Sequence, residues 1–240
     1  MKSIQVELLH YLKQSWMFTS VECLHEWQWH WKCIRRGSFA QYGEDVFVWD
    51  YFKGKTPGTY LDIGANHPFK ISNTYLLYRR GWRGVTVEPI PRLWLKHKKW
   101  RPHDIHLNCA ASDQAGSLTF VELTPGVLST FDESLANEEI RSGHARLVKK
   151  YDIGVMTVDE LCDQYFRGEE VDFLSIDTEG FDIQVLRGMK LVNQRPRLIV
   201  VETAAAGRGS NHAEIDDFLR QHGYRSINKL GCNTFYETKS

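Results

Sequence analysis

No charge of one sign dominates this chain. Its 240 residues hold 30 basic and 30 acidic side chains, a formal net charge of zero, so no whole-chain electrostatic footprint points to nucleic acid. Nor is there a paired cysteine framework. Cys23, Cys33, Cys109, Cys162 and Cys232 make an odd count without a CxxC pair, which argues against both disulfide staples and a zinc site and favours a reducing cytoplasm. No basic-then-apolar leader opens the sequence, and no apolar run approaches the ~18 residues of a membrane span. One large α/β domain with additions is the expectation for this length.

Glycine is also scarce where it would matter most. Tyr60-Leu61-Asp62-Ile63-Gly64-Ala65-Asn66-His67 is an apolar strand ending in an acid and a tight turn, and Gly84-Val85-Thr86-Val87-Glu88-Pro89 repeats the strand-then-acid pattern. This is how an α/β sheet grips a nucleoside at the carboxyl ends of its strands. A dinucleotide pyrophosphate needs three glycines for close backbone approach, and the turn offers only Gly64 before Ala65, Asn66, His67 and Pro68, so NAD and FAD are disfavoured. S-adenosylmethionine has no phosphate. Its amine and ribose diol call for carboxylates and open backbone groups, which Asp62, the Gly64 turn and Glu88 can supply.

Strands and helices alternate beyond residue 38, implying a mostly parallel sheet with helices on both faces. Strands are expected at Thr59–Ile63, Gly84–Glu88, Ile105–Cys109, Ser117–Leu123, Val171–Asp177 and Arg197–Glu202, with a terminal hairpin from Tyr224–Ile227 and Thr234–Glu237. Helices are expected from Ser72 to Gly81, from Pro91 to Trp100, after the capping box Thr157-Val158-Asp159-Glu160, over Phe181–Gly188, and from Asn211 to Gly223. The order is βαβαβ, an insertion, then βαβαββ.

Residues 1–37 form a separate, tryptophan-bearing extension on this reading. Ile4, Val6, Leu8, Leu9, Leu12 and Trp16 predict an amphipathic helix over residues 3–18, and Trp27, Trp29 and Trp31 alternate with polar residues before Lys32, Arg35 and Arg36. Two readings stay open. One is a helical cap whose aromatics bury against the main domain or a second subunit, making a homo-oligomer. The other is a surface that meets a membrane interface or stacks on a sugar or lipid-linked substrate.

Five blocks carry a resemblance: Gln41-Tyr42-Gly43-Glu44-Asp45, Leu61-Asp62-Ile63-Gly64-Ala65-Asn66, Val87-Glu88-Pro89, Asn108-Cys109-Ala110-Ala111-Ser112-Asp113, and Ser175-Ile176-Asp177-Thr178-Glu179-Gly180. In this order and spacing the region from about 39 to 237 resembles the FkbM family of S-adenosylmethionine-dependent methyltransferases. The resemblance implies the class I methyltransferase fold, a Rossmann-like seven-stranded sheet ending in a reversed hairpin. It also implies O-methylation of sugars, polysaccharide units or polyketide hydroxyls, and places Gln41 and Tyr42 as a closure on the N-terminal side of the site. His67-Pro68 departs from the small residues usual after the Asn.

Roles follow for the remaining residues. Asp62 is expected at the methionine ammonium, with helix capping as the alternative. Glu88 is expected to accept both ribose hydroxyls. Gly64 lets backbone pass close to the cofactor. Ala110, Ala111 and Asp113 are expected to wall the adenine, with Asp113 reaching its amine or sitting in a plain surface turn. A hydroxyl acceptor needs a base, for which Asp177 or Glu179 comes first and His67 or His212 next. The carboxylates have two other readings, as stabilisers of the following helix or, less favoured, as holders of a divalent cation together with Glu202. Methylation of nitrogen or carboxyl groups, and a non-catalytic binding module, are the competing function classes.

Overall fold

The computed structural model describes residues 24–190, 194–203 and 212–239. The expected helix over 3–18, the cap at Asn211 and Cys23 lie outside these residues. Helix α1 covers residues 24–36 of the described chain, and α2 (Glu44–Tyr51) follows. Then come β1 (Thr59–Ile63), α3 (Tyr75–Arg79), β2 (Arg83–Val87), α4 (Pro91–Trp100) and β3 (Ile105–Leu107). An insertion contributes β4 (Ala110–Ala111), β5 (Gly116–Thr124), α5 (Glu133–Arg141) and β6 (Arg146–Met156). The chain closes with α6 (Val158–Tyr165), β7 (Phe173–Ile176), α7 (Asp182–Arg187), β8 (Leu198–Glu202), α8 (His212–Gln221), β9 (Tyr224–Leu230) and β10 (Asn233–Thr238).

Seven strands form one sheet in the order β3-β2-β1-β7-β8-β10-β9, with β10 antiparallel to both of its neighbours and the other pairings parallel. Both faces are buried, and the pleat shows it residue by residue. On β8, Ile199 and Val201 join Leu61, Ile63, Leu174 and Ile176 beneath α6, α7 and α8, whereas Leu198 and Val200 join Tyr60, Phe173 and Phe235 beneath α2 and α3. At roughly 25 cal/mol per Å² of apolar surface, these two layers supply the main stabilisation. The chain winds outward from β1 in one direction and from β7 in the other. A crevice therefore opens between their carboxyl ends, where α/β sheets bind ligands.

The sequence reading needs four adjustments. Helix α3 is shorter than Ser72 to Gly81, although Ser72 Oγ does accept the Tyr75 N–H at 3.2 Å. Helix α2 was legible only as a motif, because Val46, Phe47, Val48, Trp49 and Tyr51 are poor helix formers held there by packing. The insertion holds a second, three-stranded sheet in the order β4-β6-β5 and a helix, where only one strand was expected. The expected third strand, Ile105–Cys109, ends at Leu107. The Thr157 capping box is present as read, with both reciprocal hydrogen bonds.

Candidate active site

At the crevice the structure forms a cleft open to solvent. One end is polar, lined by Gly64, Asn66, Glu88, Asp177, Thr178 and Glu179; the other is apolar, with Ile90, Leu93, Ala110, Ala111, Phe120 and Phe131. Among the described lining residues every ionisable side chain is an acid. Such a lining offers a pyrophosphate no cation and suits a ligand with a cationic amine and sulfonium at one end and a flat apolar base at the other.

Two loops shape the polar end, and each holds a non-glycine residue in the left-handed region. Asn66 has φ 47° and Glu179 has φ 55°, conformations that cost about 1–3 kcal/mol and persist only where surroundings impose them. Glu88 and His97 impose the first. Glu88 accepts the Asn66 N–H at 2.7 Å and, with its other oxygen, the Ile90 N–H at 2.7 Å, while His97 Nε2 lies 2.9 Å from the Asn66 carbonyl. Asp182 imposes the second, accepting from Thr178 N–H and Oγ1 at 2.9 Å and from the Gly180 N–H at 3.2 Å.

Burial pushes the Glu88 carboxyl up to about 8, against two backbone N–H groups that favour the charged form. Asp177 stands well above the usual carboxylate range, first through burial and then through the charges of Glu202, Glu179, Asp182 and Asp62. These surroundings favour the protonated carboxyl, and only its ionised form, a stronger base than a free carboxylate, can accept a proton.

Several expected residues do not reach the cleft. Asp62 is the main correction: its carboxylate accepts from Thr74 Oγ1 and faces Arg101 Nη1 at 3.7 Å, inside a fully buried network in which Arg101 also bonds Asp104 at 2.8 Å and Tyr60 at 2.7 Å. Its pairing explains the placement. Asp62 lies opposite Thr86 within the ladder, so its side chain stands off the sheet into the helix layer, whereas Glu88 lies beyond the last pair, Ile63 with Val87.

His67 is likewise occupied, with Nδ1 accepting from the Phe69 and Lys70 N–H groups and Nε2 3.4 Å from Glu26 of α1. Burial lowers its pKa to about 4. Its place is structural, fastening the loop after β1 to α1, and it does not line the cleft. Asp113 is exposed and accepts from Ser112 Oγ at 3.0 Å, in a separate groove with Asp159 and Arg187. Its alternative reading, a surface turn, describes it.

Ala65 is buried behind the loop, its N–H bonded to the Val87 carbonyl at 3.1 Å, and Pro89 lines the cleft. Gln41 and Tyr42 lie instead over the turn between β9 and β10, where the Tyr42 ring leaves no room for a Cβ on Gly231. This turn is at the end of β8, beside Glu202, on the far side of Asp177 from Glu88. His212 opens α8 and is not among the lining residues. Gly64 (φ 76°) is needed for a reason the sequence did not show: a Cβ there would stand 1.8 Å from the Asp177 carbonyl. Among the described residues, no group of three His, Cys, Asp or Glu is arranged to hold a metal ion.

Sequence reasoning missed Phe120, Ser129 and Phe131, the wall supplied by the insertion. Two signals were available. Asp132 before Glu133-Ser134 is a helix cap, accepting from the Ser134 and Leu135 N–H groups, and Tyr151, Ile153 and Val155 alternate as a strand packing on Phe120.

A seven-stranded sheet of this order, with an acid-lined cleft at the switch between β1 and β7, is the frame of a class I methyltransferase. The family model described as the methyltransferase FkbM domain matches residues 62–226, and the chain belongs to that family, whose cofactor is S-adenosylmethionine. Among solved structures, the FkbM methyltransferase of Methylobacillus flagellatus KT aligns at 12% identity and TM-score 0.46, over 75% of this chain. This chain spans 43% of that protein's length. A TehB-like SAM-dependent methyltransferase of Corynebacterium glutamicum aligns at 12% identity and TM-score 0.43, covering 92% of this chain and 98% of its own. A methyltransferase of Geobacter sulfurreducens gives 10% and 0.45, covering 88% and 87%. No curated protein matches the chain significantly.

Proposed function

We propose that the protein is an O-methyltransferase acting on a hydroxyl of a sugar, a saccharide unit or a natural product. The observation that carries this reading is Asp177, a carboxyl of raised proton affinity lining the cleft at the end of β7, with Glu179 beside it. When bound, S-adenosylmethionine supplies an activated methyl group, so the chain's own work is to bind, align and deprotonate.

On this reading Glu88 receives the ribose hydroxyls through lone pairs left over from its two backbone bonds. Asn66, Thr178 and the neighbouring backbone hold the methionine end, and Ile90, Ala110, Ala111, Phe120 and Phe131 enclose the base. Asp177 takes the acceptor's proton, and Glu179 and Glu202 keep its affinity for that proton high. Gln41 and Tyr42, over the β9–β10 turn, border the acceptor side rather than the cofactor. The four described cysteines are unpaired, which supports a reducing compartment.

The test is transfer of labelled methyl to panels of free sugars, glycosides, amines and carboxylic acids, followed by mass spectrometry of the product. An ether-linked methyl on a hydroxyl supports the reading, and transfer confined to amines or carboxylates refutes it. With the true acceptor, Asp177→Asn should lower kcat by roughly 10²–10⁴ while cofactor affinity by calorimetry changes little. Full turnover in that variant would remove Asp177 from the chemistry.

A further inference from the structure

Helix α1 packs Trp29, Cys33 and Ile34 inward yet also carries apolar residues on its outward face. Its inward face holds polar groups with partners: Glu26 accepts from Lys96 at 2.6 Å and lies 3.4 Å from His67, and His30 Nε2 meets the Tyr75 hydroxyl at 3.1 Å. Cys33 is buried beside them, in a cluster with Phe39, Phe69 and Tyr75. The outward face shows further apolar residues. Leu24 is 57% exposed, Trp27 52% and Trp31 55%, at positions i, i+3 and i+7 of one stripe.

Charge on that face is one-sided. The exposed residues of α1 are Leu24, His25, Trp27, Gln28, Trp31, Lys32, Arg35 and Arg36, which include three cations and no acid, although the whole chain is neutral. Glu26, the one acid in this helix's described part, is turned inward. Arg36 is held by the Ser38 and Ala40 carbonyls, while Lys32 and Arg35 line an open groove with Gln28 and Trp31. No helix among the described residues is long and apolar enough to cross a membrane.

We propose that this face of α1 docks on an anionic lipid surface, with Trp27, Trp31 and Leu24 entering the headgroup region and Lys32 and Arg35 meeting lipid phosphates. Tryptophan is the side chain that favours this boundary, because its ring is apolar and its N–H wet. A helix lying in the interface combines such a stripe with flanking cations. The inward Glu26–Lys96 ion pair and the Glu26–His67 contact matter here, since they keep α1 from rolling to bury its tryptophans. Through Glu26 and His67 the docked helix is joined to the loop that ends the cofactor strand.

The experiment is flotation of the full chain with vesicles of phosphatidylcholine alone, or of phosphatidylcholine mixed with phosphatidylglycerol, at low and high salt. The expected result is flotation with the mixed vesicles only, weakened by salt. Trp27→Ala with Trp31→Ala should abolish it, and Lys32→Glu with Arg35→Glu should weaken it by about tenfold or more, from ~1 kcal/mol per basic side chain at the surface. Circular dichroism and cofactor affinity should be unchanged in both. Absence of flotation, equal flotation with neutral vesicles, or flotation retained by both double variants would overturn the proposal. So would a dimer in light scattering that the tryptophan variant splits, which would make a second copy the occupant.

Discussion

The carboxyl ends of β1 and β2 are neighbours in the sheet, and each presents an acid, yet the two acids do opposite work. Asp62 is inside the ladder and neutralises Arg101; Glu88 lies just past it, faces the cleft, and props the Asn66 turn with one oxygen while the other accepts the Ile90 N–H. Two ladder positions, from the Thr86 level of Asp62 to Glu88, separate an internal ion pair from a ligand-facing group. An acid at a strand end is therefore a candidate binding residue only when it lies beyond the last paired position.

The largest effect expected from this contrast is on stability. Arg101→Met leaves Asp62 and Asp104 buried without their shared cation, and should cost about 3–5 kcal/mol in denaturant unfolding. Cofactor affinity of the folded fraction should stay within a few-fold. A normal unfolding midpoint would show that the network is slack, and a lost affinity with normal stability would return Asp62 to the cofactor.

Glu88→Gln probes the other strand. Above about pH 8, where Glu88 is ionised, the amide weakens the bonds to the ribose and one of the two backbone bonds, so affinity by calorimetry should fall by about 1.5–3 kcal/mol, roughly 10- to 150-fold. Unchanged affinity would sink the assignment.

Glu88 and His67 should also separate by pH. Glu88 ionises near 8 in the fold against an ordinary 4.5, so the fold favours its protonated form. The stability this contributes is complete below pH 4.5 and is lost as pH rises through about 8. His67 runs the other way: with its pKa lowered from 6.5 to about 4, its contribution is present above pH 6.5 and is lost as pH falls through about 4. Melting temperatures without ligand across pH 4–9 should show both limbs. Glu88→Gln should flatten the alkaline one and leave the acid one.

The smallest effect belongs to Asp113→Ala. Its side chain is exposed outside the cleft, so cofactor affinity should change by less than about twofold. A larger loss would mean that the segment after β4 turns inward on binding.

The strands of the main sheet, the order of elements along the chain, the Thr157 cap and the family were legible in the sequence because each rests on local chemistry. A pleat alternates over a few residues, a cap needs its partner three residues on, and the five motif blocks are contiguous. Glu88, Asn66, Asp177 and Glu179 could be assigned to one cleft because they follow the carboxyl ends of parallel strands of one sheet. What the sequence could not determine is where side chains of the same type point once helices cover the sheet. Asp62 was drawn inward by Arg101, 39 positions away, and His67 by Glu26, 41 positions away. Gly64 answers to the Asp177 carbonyl and Tyr42 to Gly231. The aromatic wall of Phe120 and Phe131 arises only when the insertion folds back over α4. Such contacts join residues far apart in the chain, so no local pattern records them; packing alone determined which acids meet the ligand and which hold the protein together.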